Sequence, residues 1–203
     1  MVMQTVEAVS WLCNRGFERL QEGDYDEARQ RFQKILNMTR KAQYVERANF
    51  GLARVFLAEE NYFWAMDQIR RALKRDPNEP EYRYVKGKIH YARGEFKRAA
   101  SEALRAVEEN LENSRYYGLL GVAVYHCEGY KPARRFLRWA IECDPGRVRP
   151  RLELARLEIT EGYYQRALKL LKGSLEETAE PAKIREAIRA IQENWELRGV
   201  ENR

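Results

Sequence analysis

The chain has 203 residues, of which 44% are hydrophobic and 11% aromatic, and this apolar content excludes a wholly disordered protein. Charged residues make up 33% of the sequence and the formal net charge is +6, a combination that fits helices with one face in water. No apolar run reaches the roughly eighteen residues that a membrane-spanning helix needs.

Apolar residues recur along the chain at the three- and four-residue spacing of one helical face, and short polar turns separate the helical runs. Two runs end in Asp-Pro, at 76–77 and 144–145, where proline stops a helix. In chain order the pattern predicts helices at 4–21, 25–39, 44–58, 61–74, 80–93, 96–109, 114–127, 130–142, 148–161 and 164–176.

A further helix is predicted at 181–197. Its apolar stripe consists of Ile184, Ala187, Ile188, Ile191 and Trp195. Proline in the first turn and charges on the opposite side suit a helix that caps the ones before it.

An alanine recurs every 34 residues, at Ala65, Ala99, Ala133 and Ala167, and Ala28 precedes this series by 37 residues. Three residues before each alanine stands an aromatic residue, and twelve before it stands a small one. The aromatic column is Tyr25, Tyr62, Phe96, Tyr130 and Tyr164, and the small column is Gly16, Ala53, Gly87, Gly121 and Ala155. Because one helix pair cannot bury its apolar face alone, the period predicts a stack of five pairs that share a core.

At these columns the chain resembles the tetratricopeptide repeat, a helix-turn-helix unit of about 34 residues. The resemblance implies an all-α protein, a right-handed α-solenoid of five units with a C-terminal capping helix at 181–197. The units are placed at about 9–42, 46–79, 80–113, 114–147 and 148–180. We interpret residues 1–203 as a single domain, because no low-complexity linker divides them.

Several features depart from the regular repeat: the usual tryptophan is absent from its column, and repeats one, three and five lack the closing proline. Lys86 occupies a column in which the family usually has leucine. Three extra residues within 37–47 are expected to lengthen the helices, or the turn, between the first two units.

The sequence offers little for catalysis or for binding a cofactor or metal. His126 and Cys127 are neighbours on a helix, so their side chains diverge by about 100° and do not favour one shared metal. His90 falls in a column where helices pack, and no glycine-rich phosphate loop occurs. Three cysteines are too few for a disulfide framework, and the opening segment lacks the pattern of a signal peptide. We therefore expect a cytoplasmic protein that is not an enzyme and has no cofactor.

In tetratricopeptide-repeat proteins the first helix of each unit lines a concave groove, and the resemblance carries this role onto the matching positions. The implied partner-binding residues are Arg47, Phe50, Arg54, Tyr84, Lys88, Tyr91, Arg115, Tyr125, His126, Arg149 and Arg156. Six of them are basic, one acidic residue (Glu81) lies at a groove position, and aromatic residues are interleaved. Such a groove favours an acidic or carboxylate-bearing peptide. Alternatively, the arginines only pair with glutamates such as Glu81 and Glu153.

The leading hypothesis is a protein-interaction scaffold or adaptor whose groove binds a segment of another protein. An RNA-binding helical-repeat protein is one alternative, because arginine and tyrosine also bind phosphates and stacked bases. The modest charge excess and the acidic residues in every unit argue against it. A self-associating scaffold is the other alternative, in which the apolar first unit or the final helix pairs with a second copy.

Overall fold

The structure is a computed structural model that describes the backbone of residues 2–197 and the side chains of residues 7–193. Within residues 2–197 it contains eleven α-helices and no strand, which confirms the all-α prediction. The helices are α1 (Val2–Glu22), α2 (Tyr25–Met38), α3 (Ala42–Ala58), α4 (Tyr62–Leu73), α5 (Pro80–Ala92), α6 (Phe96–Glu109), α7 (Ser114–Glu128), α8 (Tyr130–Cys143), α9 (Val148–Thr160), α10 (Tyr164–Gly173) and α11 (Pro181–Leu197). In this described part of the chain, none of the helices is both long and apolar enough to cross a membrane.

All the predicted repeat helices except α10 begin and end within two residues of their predicted positions. Helix α10 ends at Gly173, three residues before the predicted end at 176. Glycine has a low helix propensity, and the hydroxyl of Ser174 donates a hydrogen bond to the Leu170 carbonyl at 2.7 Å. Together these two residues end the helix early.

The extra residues between the first two repeats lengthen α3 at its start. Helix α3 has 17 residues, whereas its equivalents α5 and α9 have 13 each and α7 has 15. The added turn is packed, because Tyr44 within it is 8% exposed and belongs to a core cluster formed by α1, α2 and α3.

The chain divides into two compact units, unit 1 (residues 1–109) and unit 2 (residues 110–203). In unit 1 the first helices of the repeats, α1, α3 and α5, pack side by side, and we call them the first-helix layer. Helix α2 packs against α1 and α3, α4 against α3 and α5, and α6 against α5; these three form the second-helix layer. Unit 2 has the same arrangement, with α7, α9 and α11 in the first-helix layer and α8 and α10 in the second. The assignment of residues 1–203 to one domain stays a prediction.

In unit 1 the core depends on a phenylalanine held between two glycines. The ring of Phe32, on α2, is fully buried. A Cβ atom at Gly16 would lie 2.8 Å from Phe32 Cε1, and a Cβ atom at Gly51 would lie 2.6 Å from Phe32 Cε2. Only glycine therefore leaves room for this ring between α1 and α3. Gly16 belongs to the small column read from the sequence, but Gly51 does not.

In unit 2 the last helix covers the fifth repeat, as predicted. Ile184 of α11 is fully buried, and Ile191 is 7% exposed. They belong to a cluster with Leu168 and Leu171 of α10. Trp195, the last residue of the predicted stripe, lies outside the residues whose side chains the structure describes.

A buried carboxylate explains why lysine, and not the usual leucine, occupies position 86. Its Nζ donates to Glu102 Oε1 at 2.7 Å, and Arg83 lies 3.5 Å from the other carboxylate oxygen. Glu102 is 7% exposed, so its charge requires compensation inside the α5–α6 pair. A leucine at position 86 would remove the closer of these two cations and leave only Arg83.

Candidate partner-binding face

The predicted binding residues lie in the first-helix layer of each unit. Unit 1 holds Arg47, Phe50 and Arg54 on α3, and Tyr84, Lys88 and Tyr91 on α5. Unit 2 holds Arg115, Tyr125 and His126 on α7, and Arg149 and Arg156 on α9. Helices α3 and α5 contact each other, and so do α7 and α9.

On α3 an aromatic ring lies between two cations. Arg47 is exposed and Arg54 is half-buried, two helical turns further along. The ring of Phe50 is only 7% exposed, with centroids 5.9 Å from Phe17 and 4.8 Å from Tyr82. The Arg54 guanidinium carbon lies 5.6 Å from the Phe50 centroid. Phe50 therefore contacts the Arg54 cation and neighbouring rings, and little of it faces solvent.

On α5 the order is reversed, with a cation between two aromatic residues. Tyr84, Lys88 and Tyr91 are all half-buried. Lys88 Nζ lies 5.9 Å from the centroid of the Tyr84 ring, and the ring of Tyr91 packs edge-on against Phe96 at 5.4 Å. Cations and rings therefore alternate along each helix, and the 34-residue period matches Phe50 with Tyr84 and Arg54 with Lys88.

Phe17 belongs to this surface although the predicted set does not include it. Its ring centroid lies 5.7 Å from the Arg54 guanidinium carbon, and α1 contacts α3. Phe17, Arg54 and Lys88 occupy the same column of the repeat, so the resemblance already assigns Phe17 to a groove position of the first repeat. We call Phe17, Arg47, Arg54, Tyr84, Lys88 and Tyr91 the unit 1 cation–aromatic face.

In unit 2 carboxylates lie among the predicted residues. The Tyr125 hydroxyl donates to Glu161 Oε1 at 3.2 Å, and burial together with this glutamate raises the pKa of Tyr125. Arg156 Nε donates to Glu153 Oε2 at 3.1 Å, which is a surface pairing of the kind that the alternative interpretation describes. Arg149 is exposed, and Arg115 is half-buried.

His90 lies at a helix-packing position, where it is 6% exposed. Its Nδ1 is 2.7 Å from Glu95 Oε2. Burial lowers the pKa of His90 more than the neighbouring carboxylate of Glu95 raises it. The ring is therefore neutral near pH 7, and Nδ1–H donates to the Glu95 carboxylate.

We expect acidification to destabilise the protein through this pair. Because the folded-state pKa of His90 lies below the unfolded value of about 6.5, its contribution to stability is complete above that pH and is lost as the pH falls below it. The pKa of Glu95 is also lowered, mainly by the hydrogen bond from His90, which adds a second loss below pH 4.5.

Urea denaturation at several pH values tests this expectation. His90→Gln should reduce the fall in unfolding free energy between about pH 7 and pH 5. The exposed Gln165, which does not titrate, provides the control, and Gln165→Ala should leave the pH dependence unchanged. The assignment is contradicted if the His90 variant keeps the full pH dependence of the unchanged protein.

Comparison with known proteins identifies the family. Models of the tetratricopeptide repeat match residues 19–89, and also residues 65–115 and 84–146. A TPR repeat-containing protein of Methanocaldococcus jannaschii is 33% identical over 102 residues, which are 50% of this chain and 17% of that protein. This chain therefore corresponds to a small part of that relative.

Solved structures share the fold over most of the chain. The thermophilic TPR protein TTC0263 of Thermus thermophilus is 18% identical with a TM-score of 0.78, covering 91% of this chain and 98% of that one. PilF of Pseudomonas aeruginosa is 20% identical with a TM-score of 0.72, covering 98% and 95%. MamA of Desulfovibrio magneticus is 18% identical with a TM-score of 0.66, covering 83% and 94%. Since the family models match the repeats and these structures match the helix arrangement, the chain belongs to the tetratricopeptide-repeat family.

Proposed function

We propose that this protein is a non-catalytic scaffold that binds an acidic segment of a partner protein through the unit 1 cation–aromatic face. The tetratricopeptide-repeat fold is in general a scaffold for protein interactions. The proposal adds the chemistry of the bound segment and the surface that binds it.

The observation that carries the proposal is the position of the Arg54 guanidinium over the rings of Phe17 and Phe50, at 5.7 and 5.6 Å. Contact with two rings limits the orientations of a long side chain, so less conformational entropy is lost when a ligand binds. The planar guanidinium offers paired N–H donors that match the two oxygens of a carboxylate. Arg47, two turns earlier on α3, adds a second positive charge on the same helical side.

Helix α5 supplies apolar surface beside these charges. The half-buried rings of Tyr84 and Tyr91 flank Lys88, so a bound segment would place carboxylates on the cations and apolar side chains against the rings. A short segment that becomes ordered on binding loses entropy in doing so, which favours an affinity in the micromolar range.

Charge reversal on α3 is expected to remove this binding. A phage-displayed library of random peptides is selected on the protein, and the affinities of the enriched peptides are measured by fluorescence anisotropy. Peptides rich in Asp and Glu should be enriched. Arg54→Ala should lower their affinity by about 1–3 kcal/mol, the size of a charged hydrogen bond. The double variant Arg47→Glu, Arg54→Glu should abolish binding without loss of helical circular dichroism.

The matched control is Arg70→Glu with Lys74→Glu, which makes the same change in charge on exposed positions at α4 in the second-helix layer. This variant should bind the peptides nearly as well as the unchanged protein. Equal weakening by both pairs would mean that only net charge matters, and would contradict the proposal. Enrichment of peptides without acidic residues would contradict it as well. Single-stranded RNA that competes for the α3 residues more strongly than the peptides would instead support the RNA-binding alternative.

A further inference from the structure

The second-helix layer of unit 2 exposes a strongly basic surface. Lys131, Arg135 and Arg138 recur at four- and three-residue spacing on α8, and Lys169 and Lys172 lie three residues apart on α10. All five are exposed, and both helices pack against α9 from the second-helix layer. Among the exposed positions of these two helices there is a single carboxylate, Glu142, near the end of α8.

None of the five cations forms an ion pair within the part of the chain that the structure describes. Arg134, which precedes Arg135, turns inward instead and donates through Nε to the buried Glu158 at 3.0 Å. Within α8, therefore, one cation compensates a buried carboxylate, whereas its neighbours Arg135 and Arg138 remain at the exposed surface.

A tryptophan lies among these cations at the surface. Trp139 is 41% exposed, and its ring packs against Phe136 at 5.5 Å and Tyr117 at 5.9 Å. The Arg135 guanidinium carbon lies 5.6 Å from its centroid. The indole is therefore held in place from within the unit while part of it faces solvent. We call Lys131, Arg135, Arg138, Trp139, Lys169 and Lys172 the unit 2 basic face.

We propose that the unit 2 basic face binds the surface of an anionic lipid bilayer, without any helix entering it. Lipid phosphates and carboxylates form a two-dimensional array of anions, which matches cations spread in two rows on separate helices. Tryptophan is favoured at the boundary between headgroups and acyl chains, because its ring is apolar and its N–H is polar. Trp139 is positioned to occupy that boundary while the cations stay among the headgroups.

The same chemistry fits a nucleic acid less well. A single strand presents its phosphates in one line, and a stacked base needs an open ring face. One face of the Trp139 indole is covered by Arg135, and Phe136 and Tyr117 pack against the same ring. A partly exposed indole is sufficient for an interfacial contact but offers little surface for stacking.

Co-sedimentation of the full chain with vesicles tests the proposal. Vesicles of phosphatidylcholine alone are compared with vesicles that also contain phosphatidylserine. Binding should require phosphatidylserine and should weaken as sodium chloride is raised, because salt screens charges at the surface. Arg135→Glu with Arg138→Glu should lower the affinity at least about tenfold, since each cation near an anionic surface contributes substantially to binding. Trp139→Ala should weaken binding to a similar extent at high and low salt.

The matched control is Arg185→Glu with Arg189→Glu, on exposed positions of α11 in the first-helix layer. It makes the same change in net charge and should alter vesicle affinity less than about twofold. The proposal is overturned if binding does not depend on phosphatidylserine, or if both reversal pairs weaken it equally. It is also overturned if homopolymeric single-stranded RNA binds this face and anionic vesicles fail to displace it. The α3 variant Arg47→Glu, Arg54→Glu should retain vesicle binding, which separates this proposal from the peptide-binding one.

Discussion

Replacing Phe32 with alanine is expected to lower the free energy of unfolding by about 3–5 kcal/mol. The ring is fully buried, fills the space between Gly16 and Gly51, and packs edge-on against Phe17 with centroids 5.0 Å apart. Neither glycine has a side chain that could move into the vacated volume, so most of the cavity should remain. Denaturant titration followed by circular dichroism measures the loss. Gln33→Ala, at the exposed position next in sequence, is the control and should change stability by less than about 0.5 kcal/mol.

The reciprocal change tests the same contact from the other side. Gly51→Ala should destabilise by about 1–3 kcal/mol in spite of alanine's higher helix propensity, because its Cβ would overlap the Phe32 ring. Adding Phe32→Leu should make the double variant more stable than the sum of the two single losses predicts. Strict additivity would show that the ring and the glycine do not constrain each other.

Removing α11 is expected to have the second large effect. Ile184→Ala alone should lower the free energy of unfolding by about 2–5 kcal/mol, because a fully buried side chain is truncated. Deleting residues 181–203 should lower it further, since Leu168 and Leu171 of α10 would lose the isoleucines that cover them. Thermal melts and light scattering should show a lower melting temperature and association of the truncated chain.

The neighbouring Lys183 provides the control, because it is exposed on the same helix and Lys183→Ala leaves the apolar stripe intact. It should melt close to the unchanged protein. A truncated chain that remains monomeric and melts at the original temperature would show that α11 does not act as a cap.

The helices could be predicted from the sequence because repeat period and helical period reinforce each other. Because the chain has five repeats, each column contains several residues, and a single unusual residue such as Lys86 does not obscure the pattern. The early end of α10 escapes the pattern because it depends on Gly173 and Ser174, which no other repeat shares at those positions. A pattern shared by all the repeats does not show residues that occur at the end of only one helix.

The candidate face was harder to predict from the sequence. A position in the repeat indicates on which side of a helix a residue lies, but not how deeply its side chain is buried. Phe50 occupies a groove position, and yet its ring packs between Phe17 and Tyr82. The sequence also does not reveal which cation meets a carboxylate from another helix. Arg134 and Arg135 are adjacent in the chain, but only Arg134 reaches the buried Glu158. Such pairings depend on packing between helices that are distant in sequence.

The extra turn of α3 has a consequence for how the repeats find their correct neighbours. Repeats of similar length and composition can assemble in the wrong order, with one pair left out or exchanged between molecules. Tyr44, in the added turn, packs into the cluster formed with α1 and α2, and the equivalent position 34 residues later is Asn78, which lies outside α5. Helices α1 and α2 can thus make their full set of contacts only with α3. One additional helical turn makes the first junction different from the others, and this favours assembly of the pairs in chain order.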